Sequence, residues 1–130
     1  MKKVLIALLF ASLYPNEYVL VTNQTSKVKQ LSLHEIQALY LAKKRGSIVV
    51  INQCPSCVAR GSFEKNILKQ NRSRLNAYWI KQHYLGIRPP KVIQSEQGVK
   101  LFLKNFENSI GYIDKANIDN SLKVIYEWSE

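Results

Sequence analysis

Apolar residues along this chain alternate between short continuous runs and helical spacing. Tyr18-Val19-Leu20-Val21-Thr22 is a β-branched run bounded by Asn16 and Asn23, and it predicts a buried strand. A polar stretch follows to Gln30. Ser32 then stands three residues ahead of Glu35, a capping box, with Leu31 placed to staple onto Ile36. Leu33, Ile36, Leu39 and Tyr40 repeat at helical spacing. Lys43-Lys44-Arg45 suit the negative end of the helix dipole, so the helix is expected to run on until Gly46 stops it.

Ile48-Val49-Val50-Ile51 predicts a second buried strand, leading into Asn52-Gln53-Cys54-Pro55-Ser56-Cys57. A helix is expected to open there, with Phe63, Ile67 and Leu68 facing inward. Another from about Ser73 sets Leu75, Tyr78 and Trp79 on one core-facing stripe, ended by Gly86 and Pro89-Pro90. Ser95 caps a fourth helix, with Val99, Phe102, Leu103 and Phe106 in a row. Ile110-Gly111-Tyr112-Ile113 and the alternating Leu122-Lys123-Val124-Ile125-Tyr126 supply two last strands. The order β-α-β-α-α-α-β-β predicts an α/β domain of two or three layers, a mixed sheet flanked by helices, with a right-handed first crossover.

The N-terminus has a different character. Met1-Lys2-Lys3 precedes the apolar Val4 to Phe10 and the small Ala11, the grammar of a secretory signal peptide. Pro15-Asn16-Glu17 ends the run well short of the roughly 20 residues that a membrane span needs. The expected organisation is a leader over residues 1–13, cut between Ala11 and Tyr14, and one periplasmic domain over 14–130. Composition adds that 130 residues with 46% hydrophobic and 22% charged content exclude a disordered or fibrous chain. The formal charge of +10 falls to +8 once Lys2 and Lys3 leave with the leader. That charge is uneven: Arg60 to Lys91 holds eight cations against Glu64 alone, which favours anions or acidic partners.

Candidate chemistry is sparse. Cys54-Pro55-Ser56-Cys57 follows a strand and opens a helix, where a thiolate is stabilised and a pair can exchange with a substrate disulfide. In an oxidising compartment the same two thiols simply pair. Both readings, disulfide and redox, stand at this point. Two cysteines with distant His34 and His83 lack the clustered spacing of a metal site, and no cofactor is expected. No carboxylate is spaced with either histidine and no serine sits in an elbow motif, so an enzyme is not expected. Trp79, Tyr78 and Tyr84 among cations could stack on nucleic acid. The leader and the core-facing stripe argue for packing instead, and no nucleic-acid partner is expected.

Several segments together resemble the phosphate-binding protein of phosphate ABC transporters and its short relatives. Leu31 to Leu41 is similar to that family's "L-[ST]-x-x-[EQ]-[IL]-x-x-[IL]-[FY]-x-G" helix. Arg60 to Leu68, Asn76-Ala77-Tyr78-Trp79 with Gly86 and Pro89-Pro90, and Glu96-Gln97-Gly98-Val99 leading to Ser109-Ile110-Gly111-Tyr112-Ile113 follow in the family's order. The resemblance implies one lobe of a type II periplasmic-binding-protein fold, a solute-binding-like module for phosphate or a similar small anion, and an accessory role in ABC-type uptake. It covers one of the two lobes that clamp the ligand, so another protein or self-association would complete the cleft, and a membrane transporter is a further expected partner.

The match departs from the family at one place. Cys57, Val58 and Ala59 stand where the family has Ser-Gly-Thr, and Gln53 where many members carry Arg, so the usual hydroxyl donors are missing. Ser56, Arg60 and Ser62 lie close enough to substitute, the serines as donors and Arg60 as the charge. With Asn23 at the end of the first strand, these form the expected ligand site, since open α/β sheets take ligands at strand C-termini. The alternatives are a redox protein using Cys54 and Cys57, or a protein-interaction module without a small ligand.

Overall fold

The computed structural model describes residues 16–44 and 46–130; the expected leader and Arg45 lie outside them. Strands β1 (Glu17–Asn23), β2 (Val49–Gln53), β3 (Lys91–Ile93), β4 (Ser109–Asp114) and β5 (Leu122–Ser129) form one mixed sheet in the order β3-β2-β4-β1-β5. β2 runs parallel to β3 and β4, while β1 pairs antiparallel with both β4 and β5. The α/β class with a mixed sheet flanked by helices is therefore the one expected. β1 and β2, however, point in opposite directions, so the handedness rule for parallel crossovers does not apply to the first connection.

The helices are α1 (Leu33–Tyr40), α2 (Val58–Phe63), α3 (Arg72–Tyr84) and α4 (Glu96–Asn105), with a π-helical turn over Glu64–Leu68 directly after α2. Period-two alternation along β1 makes three layers. Tyr18 and Leu20 join the cluster under α1, α2 and the π-helical turn, which includes Ile36, Phe63, Ile67 and Tyr112. Val19 and Val21 face α4 through Val99 and Leu103. β4 lies close to α4 because Gly111 has no side chain: a Cβ there would sit 2.8 Å from Val99 Cγ1.

The capping box of α1 is present in full. Ser32 Oγ accepts from the Glu35 amide at 3.2 Å, and Glu35 Oε1 accepts from the Ser32 amide at 3.2 Å. These hydrogen bonds hold the Glu35 carboxyl below its ordinary range. The end of α1 differs from expectation: the helix stops at Tyr40, before the lysines. Ala42 N–H reaches Leu39 O at 3.2 Å and Lys43 N–H reaches Ala38 O at 2.8 Å, a Schellman closure. Ala42 takes φ 55° to make it. A Cβ in that region is strained, so Ala42→Gly is expected to raise stability by about 1 kcal/mol in urea unfolding. A loss of stability would show that the strain is absent.

Other boundaries also moved. Asn71 rather than Ser73 caps α3, its Oδ1 accepting from the Arg74 amide at 2.8 Å. Leu75 is buried, but Tyr78 and Trp79 are only half-buried, stacked on each other at 5.0 Å, with Tyr78 OH donating to Leu41 O at 2.5 Å. Phe106 leaves the expected stripe because the helix ends there; it is exposed and lies against Phe102 at 4.5 Å. β3 escaped notice because three residues after two prolines carry too little pattern to read. Trp128 extends β5 past Tyr126 and packs against Tyr18 and Phe63.

Candidate functional site

The C-terminal ends of β2 and β4 and the start of β1 meet at one end of the sheet. A concavity of about 310 Å³ opens there, walled by Gln53, Cys57, Ala59, Tyr18, Glu96 and Asp114. A larger one, about 630 Å³, lies over the π-helical turn and the start of α3.

A buried hydrogen-bond set holds the end of β2 in place. Gln53 donates its side-chain amide to Tyr112 O at 2.7 Å and to Glu96 Oε2 at 3.3 Å. Tyr112 OH donates to Asn52 Oδ1, and Tyr40 OH donates to Ile51 O at 2.8 Å. Burial pushes both phenols well above their ordinary range, so each stays protonated and keeps donating. The position where the family often carries Arg is thus filled by a neutral side chain turned into the sheet.

Beyond Gln53 the chain turns sharply. Cys54 and Cys57 are joined by a disulfide, with Cα atoms 5.2 Å apart, and Cys57 N–H closes the turn on Cys54 O at 3.0 Å. Cys57 is also the N-cap of α2, and its sulfur makes no capping hydrogen bond, as a serine or threonine would. Ser56 is exposed at the tip of this turn.

Three charged side chains hold the turn from behind. Glu64, 6% exposed, accepts from Arg60 Nε at 3.0 Å and from Arg72 Nε at 2.8 Å. The two guanidinium groups reach on to the main chain, Arg60 to Gln53 O at 2.9 Å and Arg72 to Pro55 O at 3.0 Å. Arg60 is therefore spent on the fold and does not present a free charge to the concavity. Glu64 is a positional residue that the sequence reading does not single out. The signal was available: it is the lone acid of the basic stretch and stands four residues after Arg60.

The structure separates the other expected site residues. Ser62 is 2% exposed, and its Oγ accepts from Trp128 Nε1 at 3.0 Å and Asn66 Nδ2 at 3.3 Å, which removes it to the core. Asn23 lies at the opposite end of the sheet, because antiparallel β1 ends where β4 begins. There Asn23 Nδ2 donates to Leu103 O at 3.0 Å and Lys104 O at 3.2 Å, covering the last carbonyls of α4. Of the four expected ligand residues only Ser56 remains exposed at the strand ends. Asn16 and Tyr18, at the start of β1, occupy the place assigned to Asn23.

The concavity is acidic. Glu96 accepts from the Asp114 amide at 3.0 Å and from Asn117 Nδ2 at 2.6 Å, and the Asp114 carboxylate lies beside it, accepting from the Ala116 amide at 2.9 Å. Tyr18 OH is raised from its ordinary range first by burial and then by the charges of Glu130 and Asp114. No helix among the described residues is long and apolar enough to cross a membrane.

No family model and no curated protein matches the chain. Solved structures do. A protein described as a phosphate ABC transporter substrate-binding protein with bound phosphate, from Clostridium perfringens, aligns with TM-score 0.66 at 21% identity, over 85% of this chain and 44% of that one. An ABC-type phosphate transport receptor from Vibrio cholerae gives 0.67 at 20%, over 85% and 45%. PstS from Borrelia burgdorferi gives 0.62 at 15%, over 85% and 46%. The chain has the fold of these proteins, in agreement with the resemblance, and spans less than half of their length. The redox reading of the cysteine pair gains no support from them.

Proposed function

We propose that this chain is a non-enzymatic binding module of the cell envelope, one half of a solute-binding cleft whose other half a partner protein supplies. The observation that carries this reading is the match to under half of three phosphate-transport proteins, combined with a concavity at the sheet end where such folds take ligands. Delivery to the periplasm by the expected leader and an accessory role in ABC-type uptake, with a membrane transporter as partner, are the corresponding physiological reading.

Phosphate is the first ligand to weigh, since the Clostridium perfringens neighbour holds it. The charges here oppose it. At a separation of about 6 Å and an effective dielectric of about 20, each of Glu96 and Asp114 would repel a unit negative charge by about 3 kcal/mol. A neutral hydrogen bond from Ser56 or a main-chain amide returns only about 1 kcal/mol. Arg60 offers no counterweight while it serves Glu64 and Gln53 O. The module therefore works through its partner rather than by holding phosphate alone.

Thermal unfolding of the full chain against phosphate, sulfate and chloride tests this, at matched ionic strength because a +10 protein responds to screening. The three anions are expected to move the midpoint equally. A phosphate-selective rise of several degrees, what about 2.7 kcal/mol produces at a hundredfold excess over Kd, would restore small-anion capture as the function.

A further inference from the structure

The C-terminal half of α3 packs Tyr78 and Trp79 on the core and yet carries further apolar side chains outward. Leu75 is the helix's buried residue, and Tyr84 follows nine positions later, two and a half turns on, so it projects from the opposite face. Ile80 is one turn before Tyr84 on that same outward side, and Leu85 follows at the helix end. These are 63%, 84% and 64% exposed. With Trp79 and Pro89, Ile80 and Tyr84 wall a groove of about 560 Å³. An apolar outward face is the reverse of what a helix on a water-facing surface carries.

The segment that carries it is cationic. The thirty-one residues from Lys65 to Ser95 contain seven Lys and Arg and no carboxylate. Lys69, Arg74, Lys81, Arg88 and Lys91 are exposed, and among the described residues none of these five comes within 4.0 Å of a carboxylate. Lys81 is next to Ile80, and Arg88 and Lys91 flank Pro89-Pro90 just past Leu85.

We propose that this face of α3 docks on an anionic lipid bilayer, with Ile80, Tyr84 and Leu85 entering the interface and Lys81, Arg88 and Lys91 on the headgroups. Three features select a bilayer over a protein. The apolar patch is three side chains at one helix end, where a stable protein interface takes roughly 20–30 residues a side. Aliphatic residues beside Trp and Tyr, with cations adjacent in the chain, are the residue types found in a membrane interface. The positive charge is also spread over a long segment with no acid to fix a register, which suits a fluid anionic surface better than a partner with defined carboxylates. α3 starts beside the disulfide turn, at the Arg72 contact with Pro55, and carries the chain about 18 Å along its axis, so docking at its far end leaves the concavity open. The inference stands independently of the identity of any cleft partner.

Co-sedimentation of the full chain with vesicles tests it, using phosphatidylcholine alone and equal parts phosphatidylcholine and phosphatidylglycerol. Every variant keeps the same N-terminus, so the apolar leader residues contribute equally throughout. Anionic vesicles are expected to bind about tenfold more tightly than neutral ones and to shift Trp79 emission to the blue, with the shift missing in Trp79→Phe; Trp128, buried, stays silent. Ile80→Ser with Leu85→Ser, and separately Lys81→Gln with Arg88→Gln, are each expected to weaken binding about tenfold while leaving the melting curve in place. Equal binding to both vesicle types, or no loss in either double variant, overturns the proposal. Two further outcomes also overturn it: self-association that Ile80→Ser with Leu85→Ser abolishes while vesicles leave the chain in solution, which would make the occupant a second copy, and binding of poly-glutamate that needs Ile80 and Leu85, which would make it an acidic protein.

Discussion

Truncating Phe63 to alanine is expected to lower the unfolding free energy by about 3–5 kcal/mol, read from urea unfolding at constant slope. Phe63 is fully buried, and it stacks on Tyr112 with centroids 4.3 Å apart and planes 9° apart. Tyr40 meets it at 4.6 Å and Trp128 at 5.7 Å. Removing the ring thus empties a space that three aromatic neighbours, each anchored by its own hydrogen bond, cannot close. Phe106→Ala supplies the contrast: the same chemistry at an exposed position is expected to cost under about 1 kcal/mol. Equal losses at the two positions would mean that the aromatic cluster is not the centre of this core.

Glu64→Ala is expected to cost about 3 kcal/mol. Removing one member of a buried charge set leaves the others uncompensated, and here it leaves two guanidinium groups facing the same vacancy. Arg60 is 16% exposed and loses its carboxylate outright, while Arg72, at 37%, recovers part of the loss from water. Glu64→Gln retains the shape without the charge and is expected to lose more than half as much. Because both arginines also hold main-chain carbonyls of Gln53 and Pro55, amide exchange at residues 54–59 is expected to quicken in Glu64→Ala well before global unfolding. A loss below about 1 kcal/mol with unchanged exchange would show that the turn is held by its disulfide alone.

Phe63 owes its importance to contacts across the chain, Glu64 to two arginines within eight residues of it. Phe63 was legible as an inward residue from its spacing with Ile67 and Leu68, but its three aromatic partners come from α1, β4 and β5. Glu64 is inconspicuous in the sequence, a lone acid among eight cations. Ser62 was misplaced for the opposite reason: two residues from Arg60, it suggested a donor near an anion, yet a helix turns successive side chains by about 100° and sent it toward Trp128. Arg60 was placed correctly near the strand end, and only its neighbour Glu64 shows that its charge is already used.

What the sequence determined by itself are the features that close within a few residues. The capping box at Ser32, the N-cap at Ser95, the apolar runs of β1 and β2 and the alternation of β5 all depend on neighbours one to five positions away, so spacing alone reveals them. The α/β class follows from their order. What only the tertiary structure decided are relations between distant segments. β1 runs against β2, which moves Asn23 to the far end of the sheet and brings Asn16 and Tyr18 to the ligand end in its place. Glu96 and Asp114 meet beside Gln53 across β4, which turns an expected anion site acidic. The outward apolar residues of α3 likewise emerge only in the fold, where Leu75, Tyr78 and Trp79 take the core side and leave Ile80 and Tyr84 outside. Strand direction, sheet order and the choice of buried face are set by which pairing buries the most apolar surface over the whole chain, a sum that no local window contains.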